Sequence, residues 1–249
     1  MVFWGCRGNA TALSHFWERL NMIRILFKNS EAVAVFKPIG MSSVPDKSAD
    51  ADAMTLTAEY LRSERESAAL FPVHRLDRVV QGILVFARNA GAARELSKLV
   101  SEEGGMGKEY LAVVEGAAPG GEMRDYIRKE QGIGKATVTV SGVGGAKEAT
   151  LSYTALSTKE APKGKRTLVS ITLGTGRFHQ IRAQFSSRGM PLVGDGKYGS
   201  RDKTVRTPAL IAYRLSFLLK GENITLVEYP TADDYPWSLF SEEIEDLKK

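Results

Sequence analysis

A chain of 249 residues, 43% hydrophobic and 25% charged, has ample apolar content for one large packed domain and the polarity of an ordinary globular protein. Its net charge of +5 favours a polyanionic partner such as nucleic acid. A single cysteine, Cys6, excludes an internal disulfide and points to a reducing, cytoplasmic setting; three scattered histidines argue against a zinc site, and no stretch approaches the ~18 apolar residues of a membrane span.

Residues 1–21 carry Trp4, Phe16 and Trp17 but lack the continuous apolar core and cleavage site of a signal peptide. Leu13, Phe16, Trp17 and Leu20 fall at helical spacing, so the segment is either an extra helix or an extension ahead of a true start at Met22. The second reading is preferred, which sets the folded domain at 22–249. Residues 23–27 and 32–36 read as strands split by the turn-prone Lys28-Asn29-Ser30, and Lys37-Pro38-Ile39-Gly40 closes the second. A polar loop over 42–52 precedes a helix over 53–63, with Leu56, Tyr60 and Leu61 in register.

The next stretch has two unlike halves. His74, Arg75, Asp77 and Arg78 put four polar or charged groups within five residues, just ahead of the apolar run 83–87 bounded by Gly82 and Arg88. Such a run reads as a strand buried on both faces. Arg75 and Arg78 should keep Asp77 ionised. A surface ion pair would account for the same residues.

Asn89 is a plausible cap for a helix to about 103, with Ala93, Leu96 and Val100 as its apolar face and Gly104-Gly105 as its stop. A strand over 108–116 sets Lys108, Tyr110, Ala112 and Val114 on one face against Leu111 and Val113 on the other. A tyrosine there is ordinarily core or cross-strand filler. The span 117–147 is Gly-rich, interrupted by alternation of Ala136, Val138 and Val140. Strands over 150–156 and 167–173 flank a basic loop, 157–166, which is either solvated or touches phosphates. Phe178, Ile181 and Phe185 mark one helical face ending at Gly189; Arg182 borders that buried stripe and needs a fixed acidic partner. Strands over 210–219 and 224–229, then an acidic-faced helix over 236–247, close the chain. Many strands with few βαβ alternations indicate an α+β fold: a single domain with a large, mainly antiparallel mixed sheet flanked by helices.

Four motifs stand in order: Lys37-Pro38-x-Gly40; His74-Arg75-Leu76-Asp77 with Gly82; Lys108-x-Tyr110-x-Ala112-x-Val114-x-Gly116; and Gly176-Arg177-x-His179-Gln180-Ile181-Arg182 with Gly194-Asp195-x-x-Tyr198-Gly199. From Met22 to about Pro236 the chain resembles the RluA-type pseudouridine synthases. The resemblance implies the pseudouridine synthase fold and isomerisation of specific uridines in ribosomal or transfer RNA, with the base flipped out. It implies Asp77 as the catalytic residue, Arg182 as its partner, Tyr110 against the uracil and Ile181 in the pocket wall. Arg75 would fill or brace the vacated space. His74 is counted with the substrate-binding residues, or as a brace of the loop. RNA is the expected partner of a monomer, with no cofactor, metal or membrane.

Two departures stand out. Val80-Gln81 replaces the family's frequent Thr-Ser, and no room precedes Ile23 for the separate RNA-binding domain many members carry. RNA contact is then expected from Lys163, Lys165, Arg166, Lys197, Arg201 and Lys203. Two alternatives are an idle RNA-binding protein or RNA chaperone on the same scaffold, and a hydrolase using His74 or His179 with Asp77. The latter is disfavoured by the lack of a Gly-x-Ser-x-Gly elbow.

Overall fold

A computed structural model describes residues 22–48, 50–102 and 104–249, so the readings made for 1–21 lie outside the described residues. Eleven strands form one sheet: β1 (Arg24–Lys28), β2 (Ala32–Lys37), β3 (Phe71–Pro72), β4 (Gln81–Ala87), β5 (Met106–Glu115), β6 (Gly121–Glu130), β7 (Lys135–Thr139), β8 (Lys147–Lys159), β9 (Arg166–Leu173), β10 (Leu210–Leu219) and β11 (Glu222–Val227). The main path runs β1-β2-β4-β10-β5-β9-β8-β6-β7, with β11 on β10 and β3 on β4. Strand pairings are antiparallel except that of β4 with β10, so the sheet is mixed and mainly antiparallel as expected.

The apolar run of β4 is explained by helices on both sides. Helix α1 (Ala53–Ser63), capped by the Asp52 carboxylate on Thr55 N–H, packs Leu56 and Leu61 against Val33, Val35, Leu84 and Phe86. Helix α2 (Ala90–Ser101), capped by Asn89 on Ala92 N–H, packs Ala92 and Leu96 against Ala32, Ala34, Ile83 and Val85 on the opposite face. Farther along, α3 (Gln180–Ser187) lays Ile181 and Phe185 over Ala112, Val114, Val169 and Ile171. The reverse of that region is covered by Trp237, Phe240 and Ile244, from a 3-10 turn and the short helix α4 (Ser241–Asp246). The terminal segment is thus two short pieces rather than one helix.

Where β4 leaves its loop to meet β10, Gly82 is held at φ +129, and a Cβ there would sit 2.3 Å from the carbonyl oxygen of Ala212. The glycine permits a backbone approach that any side chain would block. It places the start of β4, and the polar loop before it, at the centre of the sheet.

Three further expectations are corrected. Strand β6 was not anticipated: in Gly-Glu-Met-Arg-Asp-Tyr-Ile-Arg-Lys-Glu only Met123 and Ile127 are fully buried, too sparse an apolar signal among charges. Strand β8 continues to Lys159, so the basic loop is shorter and Arg166 belongs to β9. Phe178 lies before α3, because His179 takes a left-handed conformation (φ 53) that breaks the helical phase. Phe178 therefore joins Ile127, Ala183 and Tyr198, not Ile181 and Phe185.

Candidate active site

The loop entering β4 is pinned from two sides. The wholly buried Lys37 donates to the carbonyls of Pro38 (2.9 Å), Met41 (2.8 Å) and Arg78 (3.4 Å), and Gly40 N–H donates to the same Arg78 oxygen at 2.8 Å. Burial pushes the lysine down to about 7 while three carbonyls hold its protons. Ser43 Oγ both donates to Leu76 C=O (2.9 Å) and accepts from Leu76 N–H (3.0 Å). The Lys-Pro-x-Gly turn thus fixes Arg78, and Ser43 just beyond it fixes Leu76, so both neighbours of Asp77 are held. His74 is a brace: its Nε2 accepts Val85 N–H at 3.1 Å, and burial pushes the imidazole down to about 4, so it stays neutral. That bond commits one ring nitrogen to the fold.

Asp77 sits at the floor of a cavity of about 90 Å³ walled by Val80, Tyr110, Ile181 and Arg182, with Arg75 at its rim. Asp77 Oδ2 accepts from Arg182 Nη1 at 3.2 Å, and His179 Nε2 stands 3.4 Å from the same oxygen. Arg182 is also clamped from behind: its Nε and Nη2 donate to Asp195 Oδ2 and Oδ1 at 2.7 and 2.9 Å, and its guanidinium lies 4.8 Å from the Tyr198 ring centre. Desolvation by burial raises the Asp77 carboxyl above its ordinary range, with Arg182 opposing the rise. The sequence neighbours do not play the part expected of them. Arg78 turns away to Asp50 (2.7 Å), Ser48 (2.6 Å) and Asp46 (3.3 Å), and Arg75 makes no ion pair among the described residues.

Tyr110, on β5, is 8% exposed and faces this cavity, and burial raises its hydroxyl. Ile181 comes from the first turn of α3. Val80 supplies an apolar wall at one departure from the Thr-Ser pattern, while Gln81 enters the sheet opposite Ile211. The cavity adjoins a groove of about 850 Å³ flanked by Arg75, Lys108, Lys129 and Arg177. A second recess, about 350 Å³, holds Arg78, Lys197 and Arg206 on the other side of Asp77.

Asp77, Tyr110, Ile181, Arg182 and Arg75 therefore line one cavity, and His74 lines the adjoining groove while its Nε2 ties the loop to β4. The sequence did not mark Asp195 as the main partner of Arg182 or Tyr198 as a neighbour of the carboxylate, although the Gly-Asp-x-x-Tyr-Gly run was the available signal; His179 was set beside Asp77 only for a hydrolase, and Val80 was noted only as a departure from the family pattern. The cations expected to meet RNA are only partly placed there. Lys197 borders Asp77, whereas Lys163, Lys165 and Arg201 line a separate cleft. Lys203 donates to Ser200 C=O. Arg166 is excluded: at 2% exposure it is spent on Asp202 (3.0 Å) and on the carbonyls of residues 163–165.

A carboxylate with raised basicity, backed by a fixed guanidinium and roofed by an aromatic ring, can attack or deprotonate a planar substrate edge. The family model for RNA pseudouridylate synthase matches residues 31–187. The tRNA pseudouridine synthase C of Haemophilus ducreyi is 36% identical over 186 residues, covering 70% of this chain and 73% of that protein. The same-named protein of Vibrio parahaemolyticus is 30% identical over 234 residues, 88% of this chain and 94% of its own. RNA pseudouridine synthase 7 of Oryza sativa subsp. japonica is 32% identical over 207 residues, and the match spans 51% of its length. Among solved structures, human RNA pseudouridylate synthase domain containing 4 superposes with a TM-score of 0.70 at 19% identity, over 95% of this chain and 98% of that one. That likeness shows the shared fold.

Proposed function

The chain belongs to the RNA pseudouridylate synthase family, and from that membership we propose that it converts uridines of transfer RNA to pseudouridine, with Asp77 as the catalytic group. Atoms and charge balance within the substrate. The N1–C1′ bond breaks, C5–C1′ forms, the C5 hydrogen leaves as a proton, and N1 gains one. No electrons are exchanged.

The observation that carries this reading is the Asp77 carboxylate, 3.2 Å from Arg182 in a cavity walled by Tyr110, Val80 and Ile181. A uridine stacked in a helix cannot reach it, so on this reading the base is extruded, and Arg75, exposed and lining the cavity, is the candidate to occupy the gap. Transfer RNA is favoured by the names of the Haemophilus and Vibrio relatives. A cytoplasmic location is part of the proposal, in keeping with the lone Cys6. The hydrolase alternative loses one of its histidines, because His74 Nε2 is occupied by Val85 N–H. An idle RNA-binding scaffold has no observation in its favour. The test is incubation with a pool of tRNA transcripts made with 5-tritiated uridine: tritium appears in water as pseudouridine forms. No release from any transcript would overturn transfer RNA as the substrate, and no release from ribosomal RNA transcripts either, with binding retained, would leave only the idle scaffold.

Tyr110→Phe should keep most activity, since the ring remains. Tyr110→Ala should lose base–aromatic contact worth ~1–3 kcal/mol, read as weaker binding or slower turnover with the fold intact by circular dichroism. Equal activity for Tyr110→Ala and wild type would make the ring mere core filler.

RNA affinity should fall steeply with salt. If the two flanking grooves neutralise about four phosphates of an unpaired strand, log K against log salt has a slope of about −3. A flat dependence, measured by filter binding, would assign recognition to base contacts instead.

A further inference from the structure

His179 is absorbed by neither the chemistry above nor the core. It lies in a left-handed backbone conformation that a non-glycine residue adopts at a cost, and such outliers persist where the surroundings enforce them. The enforcement is visible. The ring is stacked on Phe178 at 3.8 Å, and Lys129 caps the other partner of that stack at 4.7 Å. Its Nδ1 is 2.8 Å from the Tyr198 hydroxyl, and its Nε2 is 3.4 Å from Asp77 Oδ2.

The hydrogen-bond direction along this chain can be inferred from one fixed donor. Ala136 N–H donates to the Tyr198 oxygen at 2.8 Å. A phenol hydroxyl offers one in-plane lone pair and one in-plane proton; with the lone pair taken, the proton goes to His179 Nδ1. Nδ1 is then the bare nitrogen, and the ring's one proton is on Nε2, beside Asp77. We propose that His179 is a positioning residue for this reaction, locked by Tyr198 in the tautomer that presents Nε2–H to Asp77 Oδ2. Together with Arg182 Nη1 it holds that oxygen and leaves Oδ1 for the substrate. The 3.4 Å contact is longer than a good hydrogen bond, and on this proposal it tightens once substrate is bound. Burial, followed by the charges of Arg182, Lys197 and Lys129, pushes the imidazole down to about 3, so it acts as a neutral donor throughout.

The inference rests on Asp77 being the catalytic group, and its tests separate the two. The first uses the intact wild-type protein: the nitrogen-15 spectrum of His179, assigned through the backbone, should show Nδ1 bare and Nε2 protonated at neutral pH. The reverse assignment, or a protonated ring, overturns the proposal whatever the variants do. The second is single-turnover tritium release from tRNA transcripts across pH. His179→Phe keeps the stack but donates nothing; it should slow the reaction on the order of 10–100-fold without weakening RNA binding. His179→Gln, which retains an N–H donor, should recover most of that loss.

Losing a donor to a carboxylate raises its pKa, so the acid limb of the His179→Phe profile should move to higher pH. Of the other groups bearing on Asp77, Arg182, Asp195, Lys37 and Tyr110 are untouched by these variants, whereas Tyr198 loses its bond to Nδ1 in His179→Phe. A wild-type rate and limb in His179→Phe, with Asp77→Asn inactive, sinks this inference alone. Activity in Asp77→Asn sinks the reading beneath it.

Discussion

Asp77→Asn should abolish pseudouridine formation, lowering the single-turnover rate by at least about 10⁴-fold, the scale on which loss of a reacting nucleophile is felt. The amide is nearly isosteric but can neither attack as an anion nor take a proton at neutral pH. No neighbour can substitute: Arg182 is a cation, His179 is neutral and pushed down to about 3, and Lys37 is enclosed by three carbonyls. Folding should survive. Arg182 keeps both of its bonds to Asp195, so no buried charge is stranded. The sign of the stability effect follows from linkage. Burial raises the Asp77 carboxyl, so above its unfolded pKa the ionised form opposes folding, and removing the charge should leave Tm unchanged or slightly higher at pH 7. The checks are tritium release, RNA binding and a thermal melt on one preparation. Near-wild-type conversion of a tRNA that the parent modifies would take Asp77 out of the chemistry.

The sheet was legible where burial is two-sided or strictly alternating. The unbroken run of β4 and the split of Tyr110 and Ala112 from Leu111 and Val113 on β5 both follow from which faces are covered. Strand β6 was not legible, because its outer residues are charged and only two inner positions carry the signal. The site was half legible. Motif order brought Asp77, Tyr110 and Arg182 together on the page, yet neighbours in a loop need not share a direction. Arg78 is one residue from Asp77 and is paired with Asp46 and Asp50 instead. Arg182 signalled its need for an acid by lying beside an apolar stripe, but its main partner stands beyond the helix end, across a turn no periodicity describes. His179 was set beside Asp77 only for a hydrolase, and its backbone was hidden: a helix drawn through Phe178 cannot contain a left-handed residue one step later.

Arg182→Ala should damage stability and activity together, and the two can be separated. The guanidinium is 5% exposed and answers two carboxylates, Asp195 at 1% and Asp77 at 23% exposure. Removing it leaves Asp195 charged in a site closed to water, a loss typically of about 3–5 kcal/mol. For a domain of this size that lowers Tm by about 6–20 °C. Arg182→Lys keeps the charge but not the planar fork that grips both oxygens of Asp195, so it should fall between the two. The informative variant is the double change Arg182→Met with Asp195→Leu, which replaces the buried pair by apolar side chains of similar bulk. Stability should then return toward wild type, because the desolvated charges are gone, while activity stays lost, because nothing orients Asp77 Oδ2. Urea unfolding and tritium release read the two effects separately. Full activity in the double variant would mean that Asp77 needs no cation, and wild-type stability in Arg182→Ala would mean that Asp195 is not closed off as the geometry places it.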